Sequence, residues 1–410
     1  CVSSFGCAGT NAHLRLAEAP VRETDEGATA EGAPLLPLPL PVLISGRSEG
    51  ALSEQASRLA AHLGERPEDS LKDLAFSLGT TRTHFAQRLV IPAGDREELE
   101  QALQGFSTTG ELPEGALRLS EDLKAGRVAF LYTGYGSQYP RMGRELYAAH
   151  PVFQSVLEEV AAQFAEELER PLLEVMFAEA GSAAAAFLGR PGYGQAAVFA
   201  LEVALHELWG SFGVKPDLVL GYGLGELAAG YAAGVFNLED GCRLAAARGR
   251  LFEASPQDGA MASLQASETE VLGVLADHGL AGAVEVAALN GPQQTVVSGE
   301  AVGIKALVSH CEAAGLKATT LSTGHAHHVS RLEAELAAYE AVAESISYQA
   351  PRIPFISTLT GKRVDAEEIA RADYWASHVG HAVRYGDGVQ ALRTEGTTVF
   401  VEVGPRPVLC

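Results

Sequence analysis

The clearest indication of the fold lies in residues 217–230, which read Asp-Leu-Val-Leu-Gly-Tyr-Gly-Leu-Gly-Glu-Leu-Ala-Ala-Gly. An apolar run leads into three glycines at alternate positions and then into an alanine-rich segment, which predicts a strand, a sharp turn and a helix. Such a turn, the nucleophile elbow, lifts one side chain off the end of a sheet, and in its G-x-S-x-G form that residue is serine. Here Gly223 stands at that position, and glycine has no side chain to present.

The residues around this turn also carry a family pattern. Gly221-Tyr222-Gly223-Leu224-Gly225-Glu226 is followed by Gly-Val-Phe-Asn-Leu-Glu-Asp at residues 234–240. The combination resembles the acyltransferase domains of modular polyketide synthases, which carry G-H-S-x-G-E and then a "GVFSLED"-like segment. The resemblance implies that Gly223 replaces the nucleophilic serine and Tyr222 a histidine. By the same resemblance, Leu224 belongs to the catalytic positions and Tyr222 to the substrate-binding positions.

Two further segments resemble catalytic motifs of the same family. Residues 134–138, Gly-Tyr-Gly-Ser-Gln, are similar to the end of "FTGQGSQ", so Tyr135 stands at a glutamine whose backbone N–H helps to form the oxyanion hole. A phenol ring needs more room than an amide, so Tyr135 and Tyr222 are expected to take up space that a thioester needs. Residues 324–330, Gly-His-Ala-His-His-Val-Ser, are similar to "SHAFHS". The resemblance implies that His328 is the general base and that His325 lies among the substrate-binding residues.

Three more positions match the substrate pocket of the family. Gln195 lies in a segment similar to "AQPALFALE", and the resemblance makes it a pocket-lining residue. Arg248 precedes Gly249 and matches the arginine that pairs with the free carboxylate of the substrate, a geometry that suits a guanidinium group. Asn290 lies in Ala-Leu-Asn-Gly-Pro, which again follows the family pattern.

The resemblance extends over nearly the whole chain and implies its domain organisation. Residues 1–19 resemble the C-terminal tail of a ketosynthase, and residues 20–115 resemble the ketosynthase–acyltransferase linker domain. Residues 127–257 and 321–410 would form the large acyltransferase subdomain, and residues 258–320 a small ferredoxin-like subdomain. The predicted fold class is therefore α/β. It has an α/β-hydrolase-like large subdomain with a parallel sheet, the small subdomain, and a small α/β linker domain before them.

Local signals predict where several helices begin. Ser48 and Asn237 are residue types that cap helix N-termini, and Pro151 is favoured at the first position of a helix. Apolar spacing predicts a further helix over residues 96–103.

Composition limits the possible partners and cellular setting. The 410 residues carry a formal net charge of -22, which argues against nucleic acid or an anionic membrane as a partner. The five cysteines are scattered without a C-x-x-C pair, so neither a disulfide framework nor a zinc site is expected. The chain lacks both a membrane-spanning apolar run of about 20 residues and a signal peptide, which predicts a cytoplasmic protein. The absence of an initiating Met predicts a piece of a longer polypeptide.

A metal site and a cofactor are not expected. His325, His327 and His328 cluster in sequence, but no carboxylate or cysteine at a recognisable spacing completes a tetrahedral site. The candidate chemistry therefore depends on protein side chains alone.

Two functional hypotheses follow from the missing serine. Covalent acyl transfer needs a nucleophile, so the first hypothesis is a degenerate acyltransferase-like domain. It would act as a scaffold beside the ketosynthase and other synthase domains, or as a docking surface for an acyl carrier protein or a trans-acting acyltransferase. The second hypothesis is residual hydrolysis or transfer of a malonyl-type acyl-CoA thioester, using His328 and Arg248. Of the expected partners, acyl-CoA is the one that the sequence supports least.

Overall fold

The protein divides into two compact units, Cys1–Leu35 and Leu36–Cys410. In the first unit, strands β1 (Val2–Phe5) and β2 (Asn11–Leu14) form an antiparallel hairpin. The computed structural model of the chain describes residues 2–5, 11–14, 39–120, 126–255, 258–321 and 333–410.

The second unit contains strands and helices in alternation. Its strands are β3 (Leu40–Gly46), β4 (Gln87–Ala93), β5 (Leu117–Leu119), β6 (Arg127–Tyr132), β7 (Leu218–Gly221), β8 (Gly259–Leu264), β9 (Val284–Gly291), β10 (Gln294–Glu300), β11 (Ala318–Leu321), β12 (Phe355–Ser357), β13 (Lys362–Arg363) and β14 (Thr397–Val403). Its α-helices are α1 (Glu49–Glu65), α2 (Leu71–Thr80), α3 (Arg96–Thr109), α4 (Arg144–Ala149), α5 (Pro151–Gln163), α6 (Leu172–Met176), α7 (Pro191–Ser211), α8 (Gly225–Ala233), α9 (Leu238–Ala254), α10 (Glu268–Asp277), α11 (Ala301–Ala313), α12 (Glu333–Glu344), α13 (Ala366–Ile369), α14 (Ala372–Gly380) and α15 (Tyr385–Thr394). A short 3-10 helix covers Ala185–Gly189.

A three-stranded antiparallel sheet in the order β3-β4-β5 lies at the start of this unit. Helices α1 and α3 bury Leu52, Leu63 and Leu103 in a separate core with the sheet. The predicted cap of α1 is confirmed, because the Ser48 side chain accepts a hydrogen bond from the backbone N–H of Ala51. Helix α3 continues past the predicted residue 103 to Thr109, so the local pattern located the element but not its end.

The largest sheet has five strands in the order β13-β12-β7-β6-β14. Strands β12, β7, β6 and β14 are parallel, and only the edge strand β13 is antiparallel. Every residue of β7 is buried, because Val219 packs into one core and Leu218 and Leu220 into another on the opposite face. A parallel sheet covered on both faces explains why the apolar run is continuous.

A four-stranded antiparallel sheet, in the order β11-β8-β10-β9, is built from the chain sequence β8-α10-β9-β10-α11-β11. Its strand β9 is fixed to the larger part of the unit at Val383. The Leu289 N–H donates to the Val383 carbonyl at 2.8 Å, and the Val383 N–H donates to the Ala287 carbonyl at 2.9 Å. This contact brings the end of β9 close to the carboxyl end of β7.

The architecture is mixed α/β with parallel and antiparallel sheets, as the sequence predicts. Among the described helices, none combines the length and apolar character needed to cross a membrane.

Candidate functional site

The turn between β7 and α8 has the geometry that the glycine pattern predicts. The Tyr222 N–H donates to the Tyr132 carbonyl at 2.9 Å, and the Glu226 N–H donates to the Gly223 carbonyl at 3.1 Å. Gly223 has a φ of 55°, in the left-handed region that glycine adopts with little strain. A Cβ on Gly225 would lie 2.2 Å from the Thr133 carbonyl oxygen, so this glycine permits close approach to the segment after β6.

A cavity of about 340 Å³ opens beside Gly223, between the five-stranded and four-stranded sheets. All the candidate site residues that the structure describes line this cavity: Tyr135, Gln195, Tyr222, Gly223, Leu224, Arg248 and Asn290. His325 and His328 lie outside the described residues. The structure therefore brings together residues that are up to 155 positions apart in the chain, from Tyr135 to Asn290.

Arg248 places a buried positive charge at the cavity. Its Nη1 donates to Gln195 Oε1 at 2.8 Å, and its guanidinium lies 4.7 Å from the ring centre of Phe252. Burial lowers the pKa of Arg248 to about 10, so the group is still charged at neutral pH. Arg248 Nε and Gln195 Nε2 have no hydrogen-bond partner among the described residues. A buried charge without a paired carboxylate is costly, so this end of the cavity favours an anion.

Phe252 is a lining residue that sequence reasoning missed. It follows Arg248 by four positions on α9, and residues at this spacing lie on the same face of a helix. The four-residue spacing from Arg248 is the feature of the sequence that could have identified Phe252 as a lining residue.

Tyr222 lies at the other side of the cavity. Its ring packs against Tyr385, with the ring centres 5.6 Å apart. Burial raises the pKa of Tyr222 to about 12, against a smaller lowering by a hydrogen bond with Asn290, so the phenol is neutral at pH 7. Asn290 Oδ1 has no hydrogen-bond partner among the described residues. The hydrogen bond between Tyr222 and Asn290 joins the elbow to the end of β9.

Tyr135 is accommodated by a glycine in the neighbouring helix. Its hydroxyl donates to the Gly189 carbonyl at 3.0 Å. A Cβ on Gly194 of α7 would lie only 2.4 Å from Tyr135 Cε2. The tyrosine ring therefore occupies the space that a side chain at position 194 would need. The cavity remains open beside both tyrosine rings. The sequence alone does not show that Gly194 faces Tyr135.

This packing predicts that Gly194→Ala destabilises the protein by about 1–3 kcal/mol, the usual cost of adding a carbon to a full core. The new Cβ would meet the Tyr135 ring and also the Leu188 carbonyl oxygen at 2.8 Å. Urea unfolding measures the change. Gly210→Ala in the same helix is the matched control, since a Cβ there meets nothing within 4 Å. If both variants had equal stability, the proposed fit between Gly194 and Tyr135 would be wrong.

Glu226, near the start of α8, is a buried carboxylate that bonds the elbow to neighbouring segments of the chain. Glu226 accepts a hydrogen bond from the Thr358 N–H at 2.9 Å and others from the hydroxyls of Thr358 and Tyr374, and His378 Nε2 lies 3.4 Å away. Burial raises the pKa of Glu226, but the positive charge and hydrogen bond of His378, with the hydroxyl donors, outweigh it and leave the pKa lowered. Sequence reasoning missed this network because its members are up to 152 positions apart.

The glycine-rich turn after β6 is held by its own side chains. Ser137 Oγ donates to the Gly134 carbonyl at 2.9 Å, and Thr133 Oγ1 donates to Glu202 Oε1 at 2.6 Å. Burial raises the pKa of Glu202 well above its usual range. Ser137 therefore stabilises the turn. Within the described ranges, no group of three His, Cys, Asp or Glu side chains is arranged to hold a metal ion.

The chain matches two family models and several long synthases. Residues 129–410 match the model described as acyl transferase domain, and residues 41–103 match the one described as CurL-like, PKS C-terminal. The chain is 43% identical to the PKS-NRPS hybrid synthetase acdB of Aspergillus candidus, covering 100% of this chain and 16% of that protein. It is 42% identical to polyketide synthase GfsA of Streptomyces halstedii, covering 98% of this chain and 5% of that protein. It thus spans less than a fifth of either relative.

Solved structures show the same architecture. The acyltransferase domain from module 8 of the salinomycin polyketide synthase superposes with a TM-score of 0.82 at 30% identity, covering 90% of this chain and 86% of that one. The acyltransferase domain from the second module of the same synthase gives a TM-score of 0.73 at 42% identity, covering 92% and 85%. The chain therefore belongs to the acyl transferase domain family, in the form that polyketide synthases carry.

Proposed function

We propose that this chain is a degenerate acyltransferase-like domain that forms no acyl-enzyme and serves polyketide biosynthesis as a scaffold or docking element. One observation carries the proposal. Gly223 occupies the tip of the elbow, where acyl transfer through a covalent intermediate requires a hydroxyl or thiol. The turn at the carboxyl end of a central parallel strand supports an α/β-hydrolase-like interpretation of the large subdomain, and in such a site the missing group is the nucleophile.

The other hydroxyls at the cavity do not replace the missing nucleophile. Burial raises the pKa of Tyr222 to about 12, so the phenol is not ionised to a nucleophilic phenolate at pH 7. Burial also raises the pKa of Tyr135, and its hydroxyl donates to the Gly189 carbonyl. Ser263 of β8 lines the cavity without a hydrogen bond to a histidine, lysine or carboxylate of the described residues. An activated serine needs such a base within reach.

The buried Arg248 favours a second candidate function. Arg248 Nε and the neighbouring Gln195 Nε2, which have no hydrogen-bond partner among the described residues, suit the free carboxylate of a malonyl-type thioester. Water could then attack the thioester carbonyl directly. The base for that hydrolysis would be His328, by the family resemblance. This activity would be slow, because the loss of a covalent nucleophile removes several orders of magnitude in rate.

The two candidates are separated by incubation with malonyl-CoA. We expect the intact mass of the protein to remain unchanged, because no residue at the elbow can accept the acyl group. A stoichiometric adduct on any residue of the cavity would refute the proposed function. Release of free CoA without an adduct, which disappears in Arg248→Met, would favour the hydrolytic candidate instead.

A further inference from the structure

We propose that Glu202 carries a proton at neutral pH and that this proton holds the glycine-rich turn beside the elbow cavity, so that its loss at higher pH loosens the turn. The Glu202 carboxyl group and the hydroxyls of Thr133 and Ser137 form what we call the proton latch. The turn matters for the site because residues 134–136 line the elbow cavity. The latch does not depend on acyl transfer, so it goes beyond the proposed function.

Glu202 is fully buried in a helix that is itself buried on every side. All residues of α7 from Pro191 to Ala204 are buried, and the exposure of Glu202 is 0%. A carboxylate in such surroundings loses its hydration, so the charged form is disfavoured unless a cation compensates for it.

No cation compensates for a negative charge at this position. Within the described ranges, the elements packed against α7 place no lysine, arginine or histidine within ion-pairing distance of Glu202. Its Oε1 contacts the Thr133 hydroxyl, and its Oε2 has no hydrogen-bond partner among the same residues. A buried carboxylate of this kind is costly, whereas the neutral acid avoids the cost of the charge.

The titratable groups that face Glu202 also disfavour its ionisation. Glu402 of β14 is held as a carboxylate by backbone N–H donors of residues 408–410, and its negative charge opposes a second one. Tyr132 of β6 is a second titratable neighbour, and its hydroxyl lies 2.8 Å from Nδ1 of His206, one turn further along α7. Burial is the main cause that raises the pKa of Glu202 well above its usual range. The hydrogen bonds that it accepts lower the pKa by less, and the charge of Glu402 raises it.

The neutral acid completes a chain of hydrogen bonds into the turn. Glu202 Oε1 lies 2.6 Å from Thr133 Oγ1, which lies 3.3 Å from Ser137 Oγ. Ser137 in turn donates to the Gly134 carbonyl at 2.9 Å. A hydroxyl has one hydrogen to donate, so when Glu202 donates to Thr133 the Thr133 hydrogen is free for Ser137. Every hydrogen of the latch then has an acceptor.

Ionisation of Glu202 removes one link from this chain. A carboxylate can only accept hydrogen bonds, so the Thr133 hydrogen must then go to Glu202. The contact between Thr133 and Ser137 is left without a donor, because the Ser137 hydrogen is used at the Gly134 carbonyl. The turn is then held by fewer hydrogen bonds beside a buried charge, and we expect it to open more often.

The first test is the pH dependence of stability in the wild type and in Glu202→Gln. Because the folded-state pKa is raised, the neutral acid stabilises the fold at low pH. This contribution is lost as the pH rises above the unfolded-state pKa of glutamate, about 4.3, and through the folded-state pKa. Glutamine keeps the shape and does not titrate. The unfolding equilibrium constant of the wild type, relative to that of Glu202→Gln, should therefore rise about tenfold per pH unit from about pH 5 up to the folded-state pKa.

The second test detects the proton itself. The infrared difference spectrum between wild type and Glu202→Gln should show the carbonyl band of a protonated carboxyl group at pH 7. The control Glu340→Gln, at an exposed position on α12, should show carboxylate bands and no pH slope in stability. Thr133→Val removes the hydroxyl in contact with Oε1 at similar size, so it should shift the protonated-carboxyl band. That shift replaces the comparison with Glu202→Gln if the glutamine variant does not fold.

The third test follows the turn by hydrogen–deuterium exchange of a peptide that contains residues 134–137. Infrared titration of the wild type gives the folded-state pKa of Glu202. Above that pKa, the turn should exchange about tenfold faster in the wild type than in Glu202→Gln at the same pH, because only the wild type gains a buried charge. A peptide from α3, in the separate core at the start of the unit, should exchange equally in both proteins.

Three results would overturn the proton latch. Carboxylate bands from Glu202 at pH 7, or an unfolding ratio that does not change with pH, would show that Glu202 is ionised in the folded protein. Equal exchange of the turn in both proteins above the folded-state pKa would show that the proton does not hold the turn. None of these measurements involves malonyl-CoA, so they can fail or succeed independently of the proposed function.

Discussion

The combined variant Gly223→Ser/Tyr222→His/Tyr135→Gln is expected to release a burst of CoA from malonyl-CoA, whereas Gly223→Ser alone releases at most about a tenth as much. Serine supplies the missing hydroxyl at a turn that already has the strand-to-helix geometry of an elbow. Tyr222 and Tyr135 still line the cavity in the single variant. A misplacement of about 1 Å can cost around 100-fold in rate, so the rings are expected to keep the thioester from a productive position.

The measurement is rapid-quench release of CoA together with intact mass. Gly223→Ala is the control for strain, because it adds a Cβ at a φ of 55° without a hydroxyl and should give no burst. Tyr222→His/Tyr135→Gln without the serine should be equally silent. A full burst from Gly223→Ser alone would show that the tyrosines leave the reactive position accessible. Silence of the triple variant would mean that a further part of the site is degenerate.

Glu226→Gln is expected to lower the free energy of unfolding at pH 7 by about 3 kcal/mol, within the range for breaking a buried pair by changing one partner. The carboxylate lies fully buried beside His378 and accepts three hydrogen bonds from Thr358 and Tyr374. Glutamine keeps the shape but removes the negative charge. It also introduces amide hydrogens in place of one acceptor oxygen.

The pH dependence identifies the charge as the cause. Because the pKa of Glu226 is lower in the folded state than the ordinary value of a glutamate side chain, the ionised group stabilises the fold at pH values above that ordinary pKa. This contribution is lost as the pH falls through the folded-state pKa. The difference in unfolding free energy between wild type and Glu226→Gln should therefore shrink as the pH falls below about 5 and through the folded-state pKa of Glu226.

Urea unfolding at several pH values measures that difference. Glu344→Gln is the control, because Glu344 is exposed on α12 and should change stability by less than about 0.5 kcal/mol. A Glu226→Gln difference that stays constant with pH would assign the loss to packing instead of charge.

Local sequence determined the parts of this protein that depend on near neighbours. The apolar run, the alternate glycines and the alanine-rich segment predicted the turn at Gly223, because strand, turn and helix preferences act over a few residues. The caps at Ser48 and Asn237 were predicted for the same reason and are confirmed. The absence of a side chain at residue 223 is itself a sequence fact, and it determined the proposed function.

Only the tertiary structure decided how the altered residues are accommodated. Tyr135 lies against Gly194, 59 positions later in the chain, and Glu226 meets Tyr374, 148 positions later. Arg248 lacks a carboxylate partner among the described residues, which depends on every element around the cavity. Such contacts arise when distant segments pack together, and packing depends on shape and distance that the linear order of residues does not specify.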